Sequence, residues 1–145
     1  MIELSRLLNY ISLWEQDAAI DKYDIGNEGA KIPQLFQKYM TYLSKERLAY
    51  KLFLEEKKQL ELVLEDYFTG RTDGKTIGRP AYQFTETKTS AVKKIDSDPE
   101  IKKMTLKILE QEEIVLFLKE VIEHIKQRNF QLKVIVDWVK FNNGN

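Results

Sequence analysis

Four groupings of side chains in this sequence could in principle do chemistry or hold a charged ligand. His124 is the single histidine, so a nucleophile–histidine pair would depend on it entirely. It stands inside a helical stretch between Glu123 and Ile125 with no nucleophile motif nearby, and reads as an ordinary, partly exposed helical histidine. Glu110, Glu112 and Glu113 offer carboxylates, but no second histidine or cysteine completes a metal set. Such a run is a solvated helix face, and no metal site is expected. Gly70, Gly74, Lys75 and Thr76 match a phosphate-binding loop only in part. Three residues separate the glycines where that motif has four, and a helical stretch precedes them where it has a strand. A small nuclease or nucleotide hydrolase is therefore disfavoured, and neither an enzyme nor a cofactor is expected.

The remaining grouping is a basic middle. Tyr67 and Phe68 close a helical stretch; Arg71, Lys75 and Arg79 follow; then come Tyr82, Phe84, Lys88, Lys93 and Lys94. Aromatic rings interleaved with cations suit single-stranded nucleic acid, with flat faces for unstacked bases and charges for phosphates. A duplex reader would more often show a recognition helix. The whole chain is neutral, with 23 basic and 23 acidic side chains, but the charge is unevenly spread. Residues 69–94 hold those six cations against only Asp73 and Glu86, while residues 1–30 and 95–124 are acidic and 125–145 basic. A local basic stretch can attract phosphate even in a neutral protein.

These residues need helices to position them. The chain has 145 residues, enough for one domain or for one compact half plus an extended half. Hydrophobic residues at 43%, charged residues at 32% and only 6 Gly and 3 Pro indicate a globular or coiled-coil protein, not a disordered one. There is no cysteine, so no disulfide framework or thiol chemistry. The start, Met1-Ile2-Glu3-Leu4-Ser5-Arg6, lacks the features of a signal peptide, and no run reaches the length of a membrane span. A cytosolic protein with no membrane partner is expected.

Periodicity predicts an all-α fold in which long helices form a helical hairpin or coiled-coil-like core. Residues 2–14 form a short amphipathic helix with Leu4, Leu7, Leu8 and Ile11 on one face. Residues 16–30 read as helix end and loop, and Pro33 opens a second helix that runs to Phe68. Its seams are Phe36, Leu43, Tyr50 and Leu64, interrupted by Lys57, and Tyr39, Phe53, Leu60 and Tyr67, interrupted by Glu46. Residues 70–80 are a loop, and 81–95 carry no firm assignment. Asp98, Pro99 and Glu100 start a third helix, which runs to a break at Asn129. Its seams hold Ile101, Ile108, Val115 and Ile122, and Met104, Leu118 and Ile125, with Gln111 as the interruption. Leu109, Leu116, Phe117 and Val121 widen this stripe until it could serve a second subunit. The tail 130–141 fits helix or strand, and is too apolar to remain undocked. Two regions follow: 1–94, helical with the basic loop, and 95–145, a C-terminal helical oligomerisation region. Assembly is expected through Ile108, Val115, Leu118, Ile122 and Ile125, with Phe130, Trp138 and Phe141 of the tail.

Three stretches in series resemble the recombination mediator proteins of T4-type bacteriophages, the UvsY family. They are Trp14-x-x-Asp17-x-x-Ile20-Asp21 with Lys31-Ile32-Pro33-Gln34-Leu35 and Lys38-Tyr39; Asp66 through Gly74; and Ile125-Lys126-x-Arg128-Asn129-Phe130-x-Leu132-Lys133 with Asp137-Trp138-x-Lys140-Phe141. The resemblance implies a protein that binds single-stranded DNA, contacts the single-strand-binding protein coating it, and helps load a phage RecA-type recombinase inside the infected bacterial host. It also implies a homo-oligomeric ring of about six or seven subunits built through the C-terminal region. Some members carry basic residues where this chain has Leu62 and Leu64. DNA contact is then expected at Arg71, Lys75 and Arg79, or further back at Lys57 and Lys58. A helical scaffold or virion component that never touches DNA is the alternative; it would keep the seams and be indifferent to loss of the basic loop.

Overall fold

A computed structural model describes residues 4–144, all of whose regular structure is helical. Residues 1–3 and 145, which include the start of the expected first helix, lie outside the described residues. The helices are α1 (Ser5–Ala18), α2 (Ile25–Phe68), α3 (Lys88–Asp96), α4 (Pro99–Lys126) and α5 (Arg128–Asn142), with a single 3-10 turn at Lys75–Ile77. They form two compact units. One is Ala49–Leu109; the other comprises the described residues of Glu3–Leu48 and Glu110–Asn145. Each unit draws on both sides of the expected boundary at residues 94 and 95, because α2 and α4 each contribute to both.

Helix boundaries follow local chemistry with two departures from expectation. First, α2 starts at Ile25, so Pro33 stands inside the helix instead of opening it. The start is set by Asp24, whose backbone carbonyl accepts from Glu28 N (3.0 Å) and whose carboxylate accepts from Asn27 Nδ2 (3.1 Å). Pro33 is solvent-facing, and its missing N–H leaves one helical bond unmade without ending the helix. Second, Asn129 does not break the third helix: α4 ends at Lys126, and Asn129 lies in the first turn of α5. The joint is Gln127, whose N–H is shared between the carbonyls of Glu123 and His124 while its backbone stays helical. The tail, ambiguous by periodicity, is helix.

In the unit built from α1, the first part of α2, the second part of α4 and α5, both heptad interruptions turn out to be core residues. Glu46 is fully buried and Gln111 almost so, and they meet. Gln111 Nε2 donates to Glu46 Oε2 at 2.7 Å and to the Glu46 backbone carbonyl at 2.8 Å. The other carboxylate oxygen accepts from the Arg6 guanidinium and from the Tyr10 hydroxyl (2.9 Å). A buried carboxylate is tolerated only when paired and hydrogen-bonded, and here every oxygen has a donor. Burial and then the neighbouring Glu46 push the Tyr10 hydroxyl up to about 12, so it remains a donor at all ordinary pH. These contacts, with the edge-on rings of Trp14, Tyr39 and Tyr42, dock α1 on α2. The expected apolar face of α1 docks only in part: Leu7 is half-buried, whereas Leu4, Leu8 and Ile11 are exposed, and no residue of α1 is fully buried.

Arg128 ties the C-terminal end to the same unit. Its guanidinium donates to the carbonyls of Ala18 (2.9 Å) and Asp17 (3.0 Å), satisfying the last turn of α1 with a cation where the helix dipole favours one. The Asp17 carboxylate accepts from Lys38 Nζ (2.7 Å) and the Tyr39 hydroxyl (2.8 Å). Replacing Gln111 by Leu should cost about 2 kcal/mol in urea denaturation, because it strips a donor from a buried carboxylate. The double variant Glu46→Leu/Gln111→Leu should recover much of that loss; a double variant worse than the sum of the singles would contradict this reading.

Candidate nucleic-acid interface

The other unit holds the basic middle of the chain. It begins where α2 stops: Gly70 adopts a left-handed backbone (φ 81°), and the N–H groups of Arg71 (2.9 Å) and Thr72 (3.3 Å) turn back to the Asp66 carbonyl. Gly74 is also left-handed, and a Cβ there would sit 2.8 Å from both the Arg79 carbonyl and the Tyr67 ring, so only glycine fits. The segment 74–79 closes through Arg79 N to Gly74 O at 3.0 Å. The Tyr67 hydroxyl donates to the Pro80 carbonyl at 2.7 Å. Several N–H groups that a phosphate loop would offer to a nucleotide are thus used within the chain.

Arg79 anchors the whole loop. It makes a two-pronged pair with Asp98 (2.6 and 2.9 Å), reaches Glu100 (3.4 Å), and lies over the Tyr67 ring. The Asp98 side chain is 3% exposed and also caps α4 by accepting from Glu100 N. Hydrogen bonding to Arg79 holds the Asp98 carboxyl below the usual carboxylate range, and the same pair raises Arg79. Beyond the loop, Glu86 N donates to the Phe68 carbonyl (2.9 Å), bringing 84–88 alongside the end of α2. The Thr87–Ser90 capping box then starts α3, whose Ala91 and Ile95 pack with Leu64, Tyr67, Phe68 and Ile101.

This architecture divides the expected DNA-binding residues. Tyr67 and Phe68 are buried, ringed by Tyr82, and present no open face to a base. Arg79 is occupied by Asp98. Lys57 is half-buried beside Glu61 (4.0 Å). The outward cations are Arg71, Lys75, Lys88, Lys93 and Lys94, with Lys58 on α2. Arg71 and Lys75 face only exposed acids, Asp66 at 3.4 Å and Asp73 at 3.9 Å, and such pairs exchange readily for phosphate. Lys93 and Lys94 make no ion pair among the described residues. Phe84 is the aromatic that is open, at 69% exposure, braced on one side by Tyr82 (5.9 Å). Only its place among cations marked it in the sequence.

The assembly residues divide similarly. Ile108, Val115, Leu118, Ile122 and Ile125 are buried within the chain itself, whereas Phe130, Trp138 and Phe141 are exposed. Of the wider α4 stripe, Leu109 and Leu116 are exposed, Phe117 is half-buried and Val121 is buried.

A profile of the family described as recombination, repair and ssDNA binding protein UvsY matches residues 13–145. No curated protein sequence matches the chain. Crystal structures of the bacteriophage T4 recombination mediator protein UvsY are similar in fold at 21% identity. The lattice type I form has a TM-score of 0.80 and covers 92% of this chain and 98% of that one. The type IV and type II forms have TM-scores of 0.78 and cover 97% and 99% of this chain, and 99% of theirs.

Asp98→Asn should cost about 3 kcal/mol near neutral pH, since it leaves the mostly buried Arg79 with only the longer contact to exposed Glu100. Asp98 is depressed in the folded state, so its stabilisation is complete above about pH 4 and is lost as pH falls through the folded value. The gap in urea midpoint between wild type and variant should therefore close on acidification; a gap that persists unchanged at pH 2 would assign the loss to something other than this pair.

Proposed function

We propose that this chain, which belongs to the UvsY family of recombination, repair and single-stranded-DNA-binding proteins, is a mediator that seats a single strand on the loop and short helix of residues 69–94. The family is a non-enzymatic one, so the work is binding. The observation that carries the reading is the division within that segment. Arg79, Tyr67 and Phe68 hold it in shape, while Arg71, Lys75, Lys88, Lys93, Lys94 and the open Phe84 ring face outward. Phosphates take the cations, and one base stacks on Phe84.

One such loop binds weakly. Joining subunits through the exposed face of α5 (Phe130, Trp138, Phe141) repeats it, and a strand held by one loop meets the next at high effective concentration. The oligomer, a ring of about six or seven, would hold the strand extended for loading of a RecA-type recombinase and compete for it with single-strand-binding protein in the host cell. Among the described residues, no helix is long and apolar enough to cross a membrane.

Fluorescence anisotropy with labelled oligo-dT tests the site. Arg71→Glu/Lys75→Glu should weaken binding roughly tenfold and reduce the log–log salt slope by about 0.7 for each phosphate no longer neutralised. Phe84→Ala should cost about 1 kcal/mol with the salt slope unchanged. Wild-type affinity and slope in both variants would remove this segment from the site.

A further inference from the structure

A groove of about 390 Å³ opens beside the basic segment, between the last turns of α2 and α3. Its apolar lining is Leu62, Val92 and Ile95, and its polar lining is Glu61, Glu65, Asp96 and Lys58. Leu62 and Val92 are each about half exposed, unusual for two neighbouring aliphatic side chains in a cleft with nothing upon them. Three carboxylates against one lysine make it a poor seat for phosphate. Two of them are only loosely engaged, Glu61 with Lys57 and Glu65 with Lys88, each at 4.0 Å, and Asp96 makes no ion pair among the described residues. The groove asks for an apolar ridge with a cationic edge.

The chain carries such a ridge. On α5, Phe130, Val134, Trp138 and Phe141 recur at helical spacing and are 49–79% exposed, while Leu132 on another side is buried. Lys133 and Lys140 stand a heptad apart on one flank, with Asp137 between them, and neither lysine makes an ion pair among the described residues. The stripe extends about 16 Å along the helix, so part of it fills a groove of this size and the rest covers the surface beside it.

We propose that the groove of one copy receives the α5 ridge of a second copy, with Leu62 and Val92 beneath the aromatic side chains and Glu61, Glu65 and Asp96 facing the lysines. This rests on the assembly through α5 proposed above and adds its receptor. The contact joins two different surfaces, so each copy offers a ridge and a groove, and the chain grows head to tail until it closes. It also seats α5 next to the DNA-binding segment of the neighbouring subunit, because α3 lines the groove and carries Lys88, Lys93 and Lys94.

The absence of cysteine allows a direct test. A Val92→Cys chain is co-expressed with a mass-tagged Val134→Cys chain, purified as the oligomer and mildly oxidised. The expected product is the mixed disulfide dimer, and adding Leu62→Glu to the Val92→Cys chain should abolish it. Predominant Val134→Cys homodimers would mean that α5 packs on α5, and would overturn the proposal. So would absence of the mixed dimer from an intact oligomer. Sedimentation velocity separates this proposal from the assembly reading beneath it. Trp138→Glu, Leu62→Glu and Val92→Glu all change exposed residues and should each dissociate the oligomer with helical content retained. An intact Trp138→Glu oligomer would defeat assembly through α5, and the receptor with it. Dissociation by Trp138→Glu alone would defeat only the groove.

Discussion

The ion pair between Arg79 and Asp98 is the constraint on which the candidate interface depends. Asp98 is nearly inaccessible, and a carboxylate so placed needs a cation and hydrogen bonds. Arg79 supplies both prongs, and because it sits at the end of the loop, pairing fixes where the loop ends. The same carboxylate caps α4, and the same guanidinium covers the Tyr67 ring, so helix start, loop and aromatic cluster are set together. Once Arg79 is committed, Gly74 packs against Tyr67 and Lys75 is left pointing outward. The proposed binding surface, built of loosely held cations, is thus mounted on a loop anchored by Arg79 at one end and by the turn at Gly70 at the other.

The second unit uses a related device. Glu46 and Gln111 lie 65 residues apart and join α2 to α4 through a polar contact inside an apolar seam. Such a pair adds little net stability over a well-packed hydrophobic pair, but it penalises any shift of register, since a slipped helix would leave Glu46 without donors. Residues that carry the family resemblance do similar work. Trp14, Asp17, Tyr39 and Arg128 come from separated stretches and meet where α1 ends, while Asp66 to Gly74 forms the turn out of α2. The motifs of this chain largely mark how it folds.

That distinction explains what was legible in the sequence. Asp98-Pro99-Glu100 was readable as a helix start because capping is local chemistry, and the end of α2 at Phe68 because Gly70 punctuates it. The seam positions of α2 and α4 are buried or half-buried because heptad spacing reports a face directly. Pro33 misled because proline favours a first turn but does not require one, and Asp24 sets an earlier start. The tail needed tertiary context to decide between helix and strand. Among candidate site residues, Arg79, Tyr67 and Phe68 had the right types for DNA contact, but residue type cannot reveal that Asp98 and Tyr82 already occupy them. For the same reason Ile108, Val115, Leu118, Ile122 and Ile125 looked available for assembly when the chain's own fold buries them. Glu46 and Gln111 appeared as flaws in two separate seams; only their meeting makes them a feature.

Hydrogen–deuterium exchange of the purified protein, with and without saturating oligo-dT, tests most directly whether a single strand lies on residues 69–94 and leaves the loop's anchors in place. Slower exchange within 69–77 and 84–94 is predicted on binding, with the amides around Asp98 protected in both states. Unchanged exchange across 69–94 while another part of the chain becomes protected would contradict it.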